Sequence, residues 1–114
     1  MSEESEISIF KCLDFLRDQA KPFAQAKANR VYMEEARKSM KAVMMKKAEE
    51  AGHKSAALQE REAYASEDYL KHLEALRIAV EEEERLRWLM IAAQSRIEAW
   101  RSLESSRRAE AKNV

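Results

Sequence analysis

SEDYLKHLEALRIAVEEEERLRWLMIAAQSRIEAWRSLESSRR, residues 66–108, contains neither glycine nor proline. A run of that kind predicts one long α-helix, because nothing in it breaks the backbone pattern and Ala, Leu, Glu and Arg dominate it. At 1.5 Å per residue such a helix extends roughly 60 Å, so its apolar face must be covered along its length by another helix or another chain. Tyr69, Leu76, Glu83, Met90, Ile97 and Glu104 recur at heptad spacing and form its seam. Leu73 and Val80 widen that seam on one edge in the first half, whereas Leu86, Ala93 and Trp100 widen it on the other in the second. So abrupt a switch implies a change of packing partner within 81–87.

Upstream of this helix the chain turns once. Glu49-Glu50-Ala51-Gly52 reads as a helix end, with glycine at the position that follows the last helical residue. Residues 52–65 are expected to connect two long helices, with Ser55 capping a short helix AALQEREAYA and Ser66 capping the long one, whose first turn carries Glu67 and Asp68. Residues 6–51 form either one N-terminal helix or a kinked pair, with Ser5 and Glu6 at its cap after a frayed lead-in. Pro22 leaves two readings open, a kink near Lys21 or a break that makes Pro22 the first residue of a second helix. Before it, Ile9, Leu13, Leu16, Ala20 and Phe23 make an apolar stripe. Beyond it, Tyr32, Met33, Ala36, Met40, Val43 and Met44 lie on roughly the opposite side, so this helix too is expected to meet two surroundings. Residues 109–114 are expected to be a tail.

Composition supports an all-α fold. Charged residues make up 37% of the chain against a usual figure of about 25%, and one Gly and one Pro leave almost no turn chemistry. With 114 residues the chain is expected to form a single helical domain, a long antiparallel, coiled-coil-like hairpin with an additional N-terminal helix. Two helices of this length bury only a thin seam, so a homo-oligomer is expected. The opening MSEESEISIF lacks the basic and apolar regions of a signal peptide, and no stretch nears the ~20 apolar residues of a membrane span. These features give the expectation of a cytoplasmic protein that makes no use of a membrane.

Charge is zero overall but segregated. Arg17–Lys47 holds nine basic and three acidic residues, a net of +6, and Gln59–Glu84 holds three basic and nine acidic, a net of −6. An antiparallel turn at Gly52 sets these blocks side by side, where they would select register and orientation. Arg85–Val114 has seven basic and three acidic residues, a net of +4. The basic helix and this basic end make nucleic acid the alternative partner. Its candidate contacts are Arg30, Arg37, Lys38, Lys41, Arg101, Arg107 and Arg108, with Trp100 placed either to stack on a base or to pack in the seam.

Catalytic and metal chemistry find little to work with. Glu50-Ala51-Gly52-His53 has a di-iron-like Glu-x-x-His spacing, but that chemistry needs two such motifs and two further helical carboxylates. Glu81–Glu84 point in four directions from one helix, and Cys12 lacks a cationic setting. A single Gly excludes a glycine-rich phosphate loop. The expectation is a non-enzymatic protein without cofactor or metal.

In the segments AKANRVYMEEARKSMKAVMMKKA (26–48), QEREAYAS (59–66) and LRWLMIAAQSRIEAWRS (86–102), with the basic residues that follow, the chain resembles small all-helical proteins of unassigned function from tailed bacteriophages and prophages. The resemblance lies in the pattern of nearly the whole chain and carries no catalytic motif. It implies an accessory protein of the bacterial host cytoplasm that works through helix-mediated protein contacts, as an adaptor to phage or host proteins of DNA recombination or replication.

Overall fold

The computed structural model describes residues 3–113, with side chains from Ser8 onward. It is all-helical: α1 spans Glu3–Glu50, α2 Ala56–Ala65 and α3 Glu67–Lys112. α1 starts at Glu3, so Ser5 lies within the helix and does not cap it. The break allowed at Pro22 does not occur, since α1 continues through it. Pro22 is exposed, so its ring is accommodated on the solvent side while the turns on either side keep their bonds. α3 passes Arg108 and takes in most of the expected tail, because SSRRAEAK holds good helix formers and no stop signal.

The connection is built from caps. At the end of α1, Gly52 N–H donates to the Glu49 carbonyl and His53 N–H to the Ala48 carbonyl, both at 3.0 Å, the paired bonds of a Schellman motif. Gly52 has φ +106°, a left-handed value that only glycine adopts without strain. Ser55 Oγ accepts from Leu58 N–H at 3.2 Å and starts α2. Ser66 Oγ accepts from Tyr69 N–H at 3.2 Å and donates to the Ala63 carbonyl at 2.8 Å, so one hydroxyl closes α2 and opens α3.

The chain divides into two compact units, one holding residues up to Ala24 and from Glu84 onward, the other Gln25–Glu83. In the second unit, Met44, Ala48, Ala63, Tyr69 and Ala79 are buried. There α1 and α3 run antiparallel, since Arg30 reaches Glu83 while Met33, one turn further on, meets His72. In the first unit, Ile9 and Cys12 of α1 form a buried cluster with Ala93 and Ile97 of α3, and Phe15, Leu16 and Trp100 pack against it. The seam beyond Leu86 is thus met by the N-terminal segment of the same chain.

The buried stripes differ from those that hydrophobicity alone selects. On α3 the inner edge runs His72, Ala79, Leu86, Ala93, Trp100 beside Tyr69, Leu76, Glu83, Met90, Ile97, Glu104, each buried or half-buried. Leu73, expected to widen the seam in the first half, is half-buried, and the edge of the second half also continues through the first. Its first members are a histidine and an alanine, while Val80, expected inside, is 39% exposed. On α1 the inner positions are Ile9, Leu16, Phe23 and Arg30 with Cys12, Gln19, Ala26, Met33 and Met40, again at heptad spacing. Leu13 and Ala20 are exposed, as are Tyr32 and Val43. The stripe does not cross the helix at Pro22: Met44 continues the Ile9 row past an exposed Arg37, and only Ala48 steps one residue beyond the Cys12–Met40 row.

Pro22 occupies an exposed position in a helix interior, where proline is about 3 kcal/mol worse than alanine and withholds one N–H. Pro22→Ala is expected to raise unfolding free energy by about 1–3 kcal/mol, read from the shift of the urea midpoint at unchanged m-value.

Candidate functional site

Three places gather polar or open features. The first lies in the seam of the Gln25–Glu83 unit. Arg30 occupies a heptad position that an aliphatic residue would ordinarily fill, and its guanidinium donates from Nε to Glu83 Oε2 at 2.6 Å and from Nη2 to Oε1 at 3.0 Å. Its Nη1 donates to Glu34 Oε2 at 3.0 Å, one turn along the same helix. The fork matches a carboxylate edge-on, which a lysine could not do. The Glu83 side chain is 9% exposed and that of Arg30 25%. The hydrogen bonds to Glu83 and then Glu34 push the Arg30 guanidinium further above its ordinary range, so it stays charged. Arg30 is therefore turned inward and held by two carboxylates. One heptad before Ala79 on α3, His72 Nε2 donates to the Met33 carbonyl at 2.7 Å, another polar group fitted to the seam.

The second place is a recess of about 350 Å³ lined by Arg37, Lys38, Lys41, Tyr64 and Tyr69. Helical spacing brings the three cations to one side of α1, and the turn at Gly52 returns α2 so that Tyr64 faces them. Lys41 Nζ lies 4.8 Å from the Tyr64 ring centroid and 3.5 Å from Glu60 Oε1. Tyr64 packs edge to face on Tyr69 with centroids 5.2 Å apart. Lys38 pairs with Glu35 at 3.3 Å, and Arg37 has no ion-pair partner among the described residues. Tyr64 and Glu60 were not nominated from sequence. Only the fold-back at Gly52 brings them to Lys41.

The third place is in the other unit. Arg101 pairs with Glu98 at 3.2 Å and Arg107 with Glu104 at 3.1 Å, while Arg108 is exposed without an ion-pair partner among the described residues. Trp100 is half-buried against the Ile9–Cys12–Ala93–Ile97 cluster, and its indole N–H is buried without an acceptor among the described residues. It packs. Beside it opens a groove of about 640 Å³ lined by Ser8, Lys11, Cys12, Phe15, Leu89, Ala92, Ala93 and Arg96. Arg96 Nη2 donates to Ser8 Oγ at 2.5 Å across it. Sequence periodicity had set Cys12 and Phe15 aside in favour of Leu13, which hid this groove.

The nominated cations are thus divided among three surroundings, and the structure brings together only Arg37, Lys38 and Lys41. Among the described residues, no group of three or more His, Cys, Asp or Glu is placed to hold a metal ion. No helix there is long and apolar enough to cross a membrane. Comparison of the chain with protein-family models, with curated proteins and with solved structures finds no match.

Glu83→Ala is expected to lower the thermal midpoint, since it leaves a guanidinium facing the seam without its main carboxylate. The double variant Arg30→Met/Glu83→Leu is expected to restore or exceed the wild-type midpoint, because matched apolar residues replace a buried pair without a desolvation penalty. Differential scanning calorimetry of the three proteins decides it.

Tyr64, with Glu60 adding a smaller effect, holds the Lys41 ammonium above the ordinary lysine value of 10.5. A raised folded-state value means that this stabilisation is complete below that pH and is lost as pH climbs through the folded-state value. Lys41→Met is expected to flatten the alkaline fall in stability, measured as urea midpoints from about pH 9 to about pH 12.

Proposed function

We infer that the chain is a non-enzymatic phage or prophage accessory protein that works through helix-mediated protein contacts, as an adaptor in phage DNA recombination or replication. On this reading it is an antiparallel, coiled-coil-like hairpin that functions as an oligomer in the cytoplasm of the bacterial host. The observation that carries the contact reading is the placement of large apolar side chains outside the seam. Phe10 is 66% exposed, Tyr32 70% and Trp88 59%, while Gln19, Arg30 and Glu83 take inner positions. Helices that bury charges while presenting aromatics outward are suited to further helices. The phage setting rests on the resemblance of residues 26–48, 59–66 and 86–102.

Direct nucleic-acid binding is the second reading, favoured by the cationic recess around Arg37 and by exposed Arg108. It is weakened by the carboxylates beside the other nominated cations. Arg30, Lys38, Lys41, Arg101 and Arg107 each lie within 4.0 Å of a Glu, which lowers the local field a phosphate backbone would meet. The exposed pairs exchange readily, since each is worth only ~0.2–1 kcal/mol. Arg30 does not.

Fluorescence anisotropy with single- and double-stranded DNA at rising salt separates the two. The contact reading expects no binding whose logarithm falls linearly with the logarithm of salt; such a fall, steepest in wild type and shallower in Arg37→Ala, supports the alternative. A photo-cross-linking residue at Phe10 or Tyr32, in cells carrying the phage, is expected to trap a recombination or replication protein. Cross-links to nucleic acid alone would overturn the adaptor reading.

A further inference from the structure

The groove between the N-terminal segment of α1 and the C-terminal half of α3 lies in the unit that has only two helical segments. Its underlying cluster holds four buried residues, Ile9, Cys12, Ala93 and Ile97. Over it, α3 carries a second stripe outside its main seam. Leu89, Ala92, Arg96 and Ala99 all lie exposed on one side at spacings of 3, 4 and 3 residues, with Leu103 one turn beyond and Trp88 at the edge. In order, the four are large, small, large, small.

That order has a specific consequence. The spacings read the same in both directions, while the sizes invert. Laid antiparallel on itself about Gln94, the stripe sets Leu89 against Ala99 and Arg96 against Ala92, and symmetry repeats both pairs. Every large side chain then meets a small one, as close helix packing requires. The same register carries the Arg96 guanidinium, which has no carboxylate partner among the described residues and donates to Ser8, to within one turn of Trp88 on the facing helix, an exposed ring that already holds Arg87 at 5.0 Å. An unrelated helix has no reason to match this order. A second copy does so by symmetry.

Surface area points the same way. Trp88, Leu89 and Leu103 are 59%, 43% and 55% exposed, and at about 150–250 Å² for a large side chain they leave on the order of 300 Å² of apolar surface per copy. Phe15, the alanines and the stem of Arg96 add to it, toward the about 800 Å² per partner of a standard interface.

We propose that the groove is filled by a second copy of this chain, docked α3 against α3 in antiparallel two-fold symmetry about Gln94. The proposal rests on the reading of helix-mediated contacts and names one of them. It fails or stands by self-association alone, whereas the adaptor reading is decided by cross-links from Phe10 and Tyr32.

Sedimentation equilibrium of the full chain is expected to show a monomer–dimer equilibrium in the micromolar range. Ala92→Arg, which sets a cation and extra bulk against Arg96 of the second copy, is expected to weaken it at least about 100-fold, with helicity unchanged by circular dichroism. Val43→Ser, on the exposed side of α1 in the other unit, is expected to leave it unaltered. Should Ala92→Arg lose helicity, a second variant carries the test: Leu89→Cys/Ala99→Cys in a Cys12→Ala background is expected to close an interchain disulfide on oxidation. A wild-type chain monomeric at every concentration, a folded Ala92→Arg variant that dimerises as well as wild type, or a double-cysteine variant that stays uncrosslinked would overturn the proposal. So would a monomeric chain that binds an added acidic helical peptide in the groove, which would assign the surface to a partner of that chemistry.

Discussion

A charge placed in a helix seam must be met by its opposite at one register only, and the pair of Arg30 with Glu83 imposes that condition on the Gln25–Glu83 unit. The bidentate fork at 2.6 and 3.0 Å has no substitute a turn away. Sliding α3 by one heptad would set Leu76 or Met90 before the guanidinium and part Glu83 from the fork. The pair therefore contributes little net stability compared with a well-packed aliphatic pair, yet it penalises the wrong alignments heavily. His72 adds a second such condition through the Met33 carbonyl at 2.7 Å. Both conditions act on the same antiparallel pair of segments, and together they define the alignment that the apolar residues alone would leave loose.

The same polar residues explain which parts of the fold could be read from sequence. The helical class, the glycine stop at Gly52, the caps at Ser55 and Ser66 and the heptad seam of α3 were legible, because each depends on local chemistry or on one strict period. The inner face of α1 was legible only in part: Ile9, Leu16, Phe23, Met33, Ala36, Met40 and Met44 lie inward, whereas Leu13, Ala20, Tyr32 and Val43 do not. A hydrophobicity count prefers Leu13 to Cys12, and Tyr32 to Arg30, so it turned the stripe around a proline that the helix simply accommodates. A strict seven-residue count from Ile9 through Leu16, Phe23 and Arg30 would have found the face, but only by accepting a charged residue inside on the strength of Glu83, more than fifty residues away. The cationic recess was half legible. Arg37, Lys38 and Lys41 share one side by spacing, but Tyr64 joins them only through the fold-back.

Segregated charge blocks, +6 against −6, act along helices as well as across them. Cross-helix ion pairs in this unit include Arg30 with Glu83 and Lys41 with Glu60. Arg77 pairs instead with Glu74 and Glu81 one turn to either side, and Lys71 with Glu67. Each such pair is worth about 0.3–0.5 kcal/mol and supports its own helix. They also lower the net field of the surface, so a strongly basic segment in sequence becomes a moderately basic face in space. Candidate site residues chosen by charge alone are vulnerable to this effect, whereas the groove beside Cys12 is defined by what is missing from its packing and is unaffected by it.

The two units cover their cores with different numbers of helices, and the difference follows from α2. In the Gln25–Glu83 unit a third helix lies on the pair formed by α1 and α3, which lets Ala63 reach full burial and brings Tyr69 to 7% exposure. The other unit has only two helical segments. Two helices share one line of contact, so each keeps a large part of its apolar surface turned outward, and Phe15 and Trp100 cover the cluster only in part. A third helix would close it as α2 closes its neighbour. The sequence supplies no further helix for this purpose among the described residues, but it does supply on α3 a stripe whose sizes invert on reversal. An open cluster and a self-complementary stripe on the same face are two independent observations, and a second copy of α3 accounts for both.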